Sequence, residues 1–492
     1  MLALSRRRRK TPAMNTRTLR RIQDLPGPRG WPLLGNTLQV KPPRIHLDVE
    51  AWAAEFGPLF RMQLGRRQQL VIADPELLGA VMRDRPEGFR RSPLTSLIGA
   101  EMGLPQGLFG SEGEDWRRQR RMVMASFAPG HVRAYFPSLA KVTLRLRSRW
   151  RKAVRQGQDI PLQADLMRFT VDAIAGLAFG KDINTLESGE DVIQRHLDKV
   201  LPAIFRRVLS LVPYWRWFKL ESDRELQRSV AVINSTILDF IAQARQRLHD
   251  EPARHEQPRN LLEAMIVAAD QPDSGLGDRQ VAGNVLTMLL AGEDTTANTL
   301  AWMIHLLQRC PEALRRVQQE VRTLAPDPAA YRFEQMEQLV YLEACASETM
   351  RLKPVAPFIA LQALRDTVVA DVAVPEGTQI WGVLRHDSVG ERLFERPEAF
   401  EPERWLEQAA PPLSAAAKRA AMPFGSGPRM CPGRYLALLE MKMAMAMLLS
   451  SFDIEAVDTP GGGPAEERMA FTMHPVGLRM RLREAAAVPA AQ

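Results

Sequence analysis

Cys431 lies in Phe424-Gly-Ser-Gly-Pro-Arg-Met-Cys-Pro-Gly433, a segment that packs three glycines and two prolines around a single thiol. The helical pattern Arg434–Leu449 follows at once, which puts the thiol at a helix N-terminus. Unpaired N–H groups and the positive end of the helix dipole favour the thiolate there, and the thiolate is the form that binds metal. Gly427 and Gly433 would allow close backbone approach to a large flat cofactor, with Arg429 offering a cation to an anionic group on it. The competing reading is a small buried hydrophobe, the fate of most lone cysteines.

A second candidate is Ala291-Gly-Glu-Asp-Thr-Thr296, in the middle of the helical pattern Arg279–Leu307. Gly costs about 1 kcal/mol against Ala inside a helix, and threonine hydroxyls compete for backbone carbonyls, so a local opening is expected here. A flat ligand or O2 would fit against Ala291 and Gly292, with Asp294 and Thr295 handling protons. The alternative, an N-cap at Asp294, Thr295 or Thr296, requires a helix end, yet apolar periodicity continues on both sides. Glu348 and Arg351, three apart in Tyr341–Leu352, share a helix face and can pair. Trp116 and Arg120, four apart, also share a face.

These pieces, in this order, resemble the cytochrome P450 family. Phe424, Gly427, Arg429, Cys431 and Gly433 match its haem-binding signature F-x-x-G-x-R-x-C-x-G, and Ala291–Thr296 matches its A-G-x-D-T-T element. Glu348-Thr-Met-Arg351 matches E-x-x-R, Pro402-Glu-Arg404 matches P-x-R with Trp405 where Phe is more usual, and Trp116 with Arg120 matches W-x-x-x-R. The resemblance spans roughly residues 25 to 485. It implies haem b (iron protoporphyrin IX) with Cys431 as iron ligand, and contacts to the cofactor from Phe424, Gly433, Ala291 and Gly292. Trp116, Arg120 and Arg429 would meet the propionates. Asp294 would be the acid and Thr295 the alcohol of oxygen activation, while Glu348, Arg351 and Arg404 would brace the cysteine loop. Many soluble bacterial members carry an arginine between the E-x-x-R helix and the next strand; the nearest positions here, Leu361 and Gln362, are not basic.

The implied activity is O2-dependent oxidation of an apolar small molecule, fatty acid or terpenoid-like. A thiolate ligand suits that chemistry, whereas histidine suits reversible O2 binding. Val355–Ile359 and the run Leu201–Phe218, with Tyr214, Trp215 and Trp217, are candidate pocket or core residues; Trp215 and Trp217 also suit a membrane or partner surface. No Gly-rich dinucleotide or flavin motif and no cluster-binding cysteine set is present, so electrons must come from a separate protein. That donor would be a ferredoxin or flavodoxin with its NAD(P)H reductase, or a diflavin reductase, and Arg117, Arg118, Arg121 and Arg434 form a candidate basic patch for it. A haem-thiolate peroxygenase or isomerase and a non-catalytic haem sensor are the rival readings; the intact Asp294 and Thr295 speak against both.

The elements positioning these residues are mainly α with a small β portion, in the family's arrangement of haem between a long distal helix and a proximal cysteine loop. Helical spacing dominates from about Ala125, and the better strand patterns are Leu59–Leu64, Gln69–Ile72, Thr367–Val374 and Gln379–Val383. Pro86–Glu114 and Asp250–Asp278 read as mobile connections. Motifs scattered from Trp116 to Gly433 imply one catalytic domain, 25–492, after a basic, disordered tail, 1–24. Eight of the 66 Lys and Arg residues fall in 1–21, leaving 58 against 57 acidic residues, so the net charge of +9 is a property of the tail and not a nucleic-acid-binding surface. No apolar run reaches the ~18 residues of a membrane span, and three scattered cysteines suit a reducing compartment. A soluble cytoplasmic protein is expected, with an Arg-rich organellar presequence as the alternative.

Overall fold

The computed structural model describes residues 19–187, 192–409 and 411–486. Its axis is the helix Asp278–Arg309, which is buried over most of its length from Val281 to Leu307. Helix Leu162–Phe179 packs along it so closely that a Cβ at Gly292 would lie 2.9 Å from Ile174 Cδ1. Helices Pro129–Arg155, Val340–Leu352 and Arg434–Ser451 complete one large apolar core with these two.

A five-stranded sheet forms the β portion, in the spatial order Leu59–Leu64, Arg67–Ile72, Gln379–Val383, Phe358–Ala363, Phe89–Arg91. Only the contact between the second and third strands is parallel. Two expected strands have the expected bounds, and Gln69–Ile72 begins two residues earlier. Thr367–Val374 is instead a tight hairpin, Thr367–Val369 and Val372–Val374, turning at Ala370 with φ 54°. Val372–Val374 also takes Arg20–Arg21 as a parallel neighbour, and Arg20 pairs with Asp371 at 2.7 Å. The part of the expected basic tail from Leu19 to Asp24 is therefore folded onto the body, and residues 1–18 lie outside the described residues.

The two stretches expected as mobile connections are structured. Pro86–Glu114 contains strand Phe89–Arg91 and helix Pro93–Glu101, and Asp250–Asp278 contains the buried helix Leu261–Ala269. In the second case the signal was present: Asn260 caps the helix by accepting from the Glu263 N–H at 2.9 Å, and the apolar run follows it directly. Charged residues on either side masked it.

Glu348 and Arg351 form a fully buried bidentate pair at 2.7 and 2.8 Å. Arg351 also donates to the carbonyls of Ser388, Pro397 and Ala399, while Glu348 accepts from the Glu401 N–H and lies 3.4 Å from Arg404 Nε. Trp405 Nε1 donates to Glu348 at 2.9 Å, a bond that phenylalanine could not make. Every charge is compensated, and the segment 388–405 leading to the cysteine loop is clamped to helix Val340–Leu352. Glu348→Ala leaves Arg351 buried without its counter-ion, and should lower the unfolding free energy by about 3–5 kcal/mol in urea titration. Removing the exposed pair Arg133 and Glu334 should change it by less than about 1 kcal/mol.

Candidate active site

The cysteine loop turns on itself: the Cys431 N–H donates to the Phe424 carbonyl at 2.9 Å, and helix Arg434–Ser451 starts after Gly433. Cys431 is exposed, yet the protein crowds it enough that burial raises its thiol above the ordinary value, against the pull of the Gly433 N–H and of Arg120. Burial thus works against the pull of the helix N-terminus on this thiol. A bound cation would yield the thiolate, because a coordinating thiol gives up its proton. Gly427 has φ +71° and stands against the backbone of Met82 and Arg83, where a Cβ would meet Met82 O at 2.6 Å. Its backbone approach is to helix Pro75–Arg83. A Cβ on Gly433 would be 3.9 Å from the Cys431 sulfur.

Beside the thiol the structure buries an excess of positive charge. Arg429 lies over the Trp116 ring at 4.6 Å, pairs with Glu112 and donates to Ser111 O at 2.8 Å; Arg120 donates to the Met430 carbonyl at 2.8 Å. Around them sit two residues that no motif identified, Arg85 and Arg91. Burial, then the neighbouring guanidiniums, pushes Arg85 down to about 9 and Arg91 to about 10. Burial also lowers Arg429. Nε of Arg85, Arg91 and Arg429 is buried without a hydrogen-bond partner among the described residues, and Glu112 is the carboxylate that faces all three. A site with three such cations and one acid has the donor set for a further, multiply charged anion. Arg91 pairs with Leu361 across neighbouring strands. The arginine sought near 361 and 362 in the sequence is thus offered by the adjacent strand, a substitution visible only once the strands are registered.

The distal helix is unbroken. Thr287, Thr295 and Thr299 donate to the carbonyls four residues back at 2.8, 2.6 and 2.8 Å, so the hydroxyls bond onto the helical ladder without opening it. The expected opening at Ala291–Thr296 is absent, and the N-cap alternative falls with it. Ala291 is exposed in the middle of this otherwise buried helix, whereas the side chain side of Gly292 is filled by Ile174. Asp294 accepts from Asn298 at 2.8 Å and from the Thr472 hydroxyl, and burial raises its carboxyl against Thr472, then His474, then Asn298. Asp294 and Thr295 therefore diverge: one turns to Thr472, the other to Ala291. Sequence reasoning missed Thr472 and His474 because nothing local marks residues so far apart in the chain as neighbours, whereas Asn298, four residues after Asp294 on the same helix, was open to the helical spacing rule.

The model for the family described as Cytochrome P450 matches residues 25–482. The chain belongs to the cytochrome P450 family. It is a P450 monooxygenase, an oxidoreductase of a family that binds haem, and its mainly α architecture with a small β portion is the P450 fold. It is similar to the Arabidopsis thaliana protein LUTEIN DEFICIENT 5, chloroplastic, at 26% identity over 86% of this chain and 72% of that one. The Rattus norvegicus 1,25-dihydroxyvitamin D(3) 24-hydroxylase, mitochondrial, is 28% identical over 91% and 87%. The crystal structure of the cytochrome P450DA heme domain superposes with a TM-score of 0.81 at 24% identity, covering 96% of this chain and 99% of that one. Among the described residues no helix is long and apolar enough to cross a membrane.

The P450 chain also holds an acid between its proximal and distal helices. Glu440, on the helix after the cysteine loop, is buried and bonded to Thr296, and burial lifts its carboxyl to about 8. Its folded value exceeds the unfolded one, so the native state keeps a proton that the unfolded chain loses. Stability is then fully present below about pH 4.5 and falls as pH rises toward 8. Glu440→Gln should flatten this decline and raise the melting temperature at pH 8 relative to wild type, measured calorimetrically across that range.

Proposed function

We propose that this P450 binds haem b through Cys431 and oxidises an apolar small molecule with electrons from a separate protein. The observation that carries the reading is the cluster of Arg85, Arg91 and Arg429, opposed by Glu112 and with each Nε left without a partner, together with the exposed thiol of the loop that carries Arg429. Two propionates would supply the missing negative charge, taken up by Arg429, Arg120, Arg91 and the Trp116 edge. Phe424, Gly433, Ala291 and, through its backbone, Gly292 would border the ring. Thiolate-ligated haem supplies O2 activation when bound. Asp294 holds and delivers a proton from the carboxyl side, and Thr295 offers its hydroxyl on the side of exposed Ala291. Glu348, Arg351 and Arg404 fix the chain before the loop.

An apolar substrate suits Val355–Ile359, tied to the distal side by the Met473 N–H donating to Val355 O at 2.8 Å. The named substrate of the vitamin D hydroxylase, a largely apolar molecule, is of the same class. Of the aromatic run, Trp215 is buried and donates to Glu101 at 2.8 Å, and Trp217 is 70% exposed, so neither supports a pocket role. For the electron donor, a ferredoxin or flavodoxin with its reductase or a diflavin reductase, the basic patch is narrower than four arginines. Arg117 is engaged with Glu87 and Glu114, and Arg118 with Glu114, while Arg121 and Arg434 are exposed.

Reduction under carbon monoxide should give the strongly red-shifted band of a thiolate-ligated haem, absent in Cys431→Ala; an unshifted band in folded wild type would refute the ligand. Reduction by an acidic donor should slow several-fold between low and physiological ionic strength, and Arg121→Ala with Arg434→Ala should remove much of that dependence in stopped-flow traces.

A further inference from the structure

The acid of the distal helix is held from outside that helix. Strands Glu467–Met469 and Met473–Pro475 form a hairpin with Arg468 opposite His474. Its turn passes through Phe471 at φ +97°, a conformation that a non-glycine residue rarely adopts and that persists only where the surroundings impose it. Here they do. The Phe471 ring meets Phe109 at 6.1 Å, the Ala470 N–H donates to Thr472 O at 3.0 Å, and the Met473 N–H is tied to Val355. At the base, Glu467 is gripped by His46 at 2.9 Å, Arg385 at 2.8 Å and Lys353, with Arg385 also on Glu50 at 2.7 Å. The product of this fixation is one contact: the buried Thr472 hydroxyl donates to Asp294 Oδ2, while Asn298 donates to Oδ1.

We propose that Thr472 is a positioning residue for Asp294, holding its carboxylate on the hairpin side of the distal helix, with His474 of the same hairpin as the neighbouring group that tunes it. Thr472 ends the turn immediately before strand Met473–Pro475, and His474 lies within that strand. The groups facing Asp294 are Asn298 on its own helix, neutral Gln163 reaching Asn298 from helix Leu162–Phe179, and Thr472 and His474 from the hairpin, with Arg468 behind. Thr472 is the largest influence drawing the buried carboxyl back down, so its hydroxyl governs how readily Asp294 gives up and regains a proton. The inference rests on the reading of Asp294 as the distal acid.

The test compares wild type with Thr472→Val, Thr472→Ser and Asp294→Asn. Infrared titration of the buried carboxyl, assigned by its loss in Asp294→Asn, reads the contact without turnover. In Thr472→Val the midpoint should rise by about one pH unit, the worth of one hydrogen bond to a charged group, and Ser should restore it. In haem-loaded protein with reductase, Thr472→Val should lower product formed per NADPH several-fold and displace the kcat pH profile upward, with substrate affinity unchanged and Ser again restoring wild-type behaviour. An unmoved midpoint, or unchanged coupling in Thr472→Val where Asp294→Asn uncouples, overturns the proposal. Full coupling in Asp294→Asn overturns instead the assignment of Asp294 as the acid.

Discussion

Burying three guanidiniums around one carboxylate is the constraint on which the proximal half of this P450 depends. Arg85, Arg91 and Arg429 come from a helix end, a strand and the cysteine loop, and each is depressed by burial. Such charges are retained in a fold only if something opposes them. Glu112 opposes part, and the remainder sets the identity of the group that completes the site: planar enough to reach all three, and anionic. The thiol obeys the same rule with opposite sign, since its crowding raises it until a cation takes the proton's place.

The distal half rests on a different economy. The Gly292 to Thr296 stretch is poor helix sequence, yet the helix is continuous because its hydroxyls bond back to the carbonyls of the same helix and Gly292 admits Ile174. What reads locally as a breaker is a packing device plus a ladder of side-chain bonds. Propensity lost to the tertiary contact with helix Leu162–Phe179. The functional consequence is directional: Thr295 faces Ala291 while Asp294 is drawn to the hairpin, so the two groups divide the helix surface between them.

Much of this was legible in the sequence. The helix Asp278–Arg309, the helix after the cysteine loop, two strands to the residue and the pairing of Glu348 with Arg351 all follow from periodicity and spacing, because those features are local. The strand Phe358–Ala363 was missed because Phe-Ile-Ala-Leu-Gln-Ala is a short apolar run without alternation, and helix Leu261–Ala269 because charges flank it. Arg91, Glu112 and Thr472 were beyond reach for a stricter reason. Each acts on a partner far away in sequence, and only strand register or a hairpin tip brings them together.

The two buried arginine systems differ in a way that separates support from function. Around Arg351 every donor has an acceptor, and the positive charge of Arg404 is met by Glu348 and Glu401. Around Arg429 and Arg91 donors remain over. What separates the two systems is net charge: Glu348 and Glu401 meet Arg351 and Arg404, whereas Glu112 alone faces Arg85, Arg91 and Arg429.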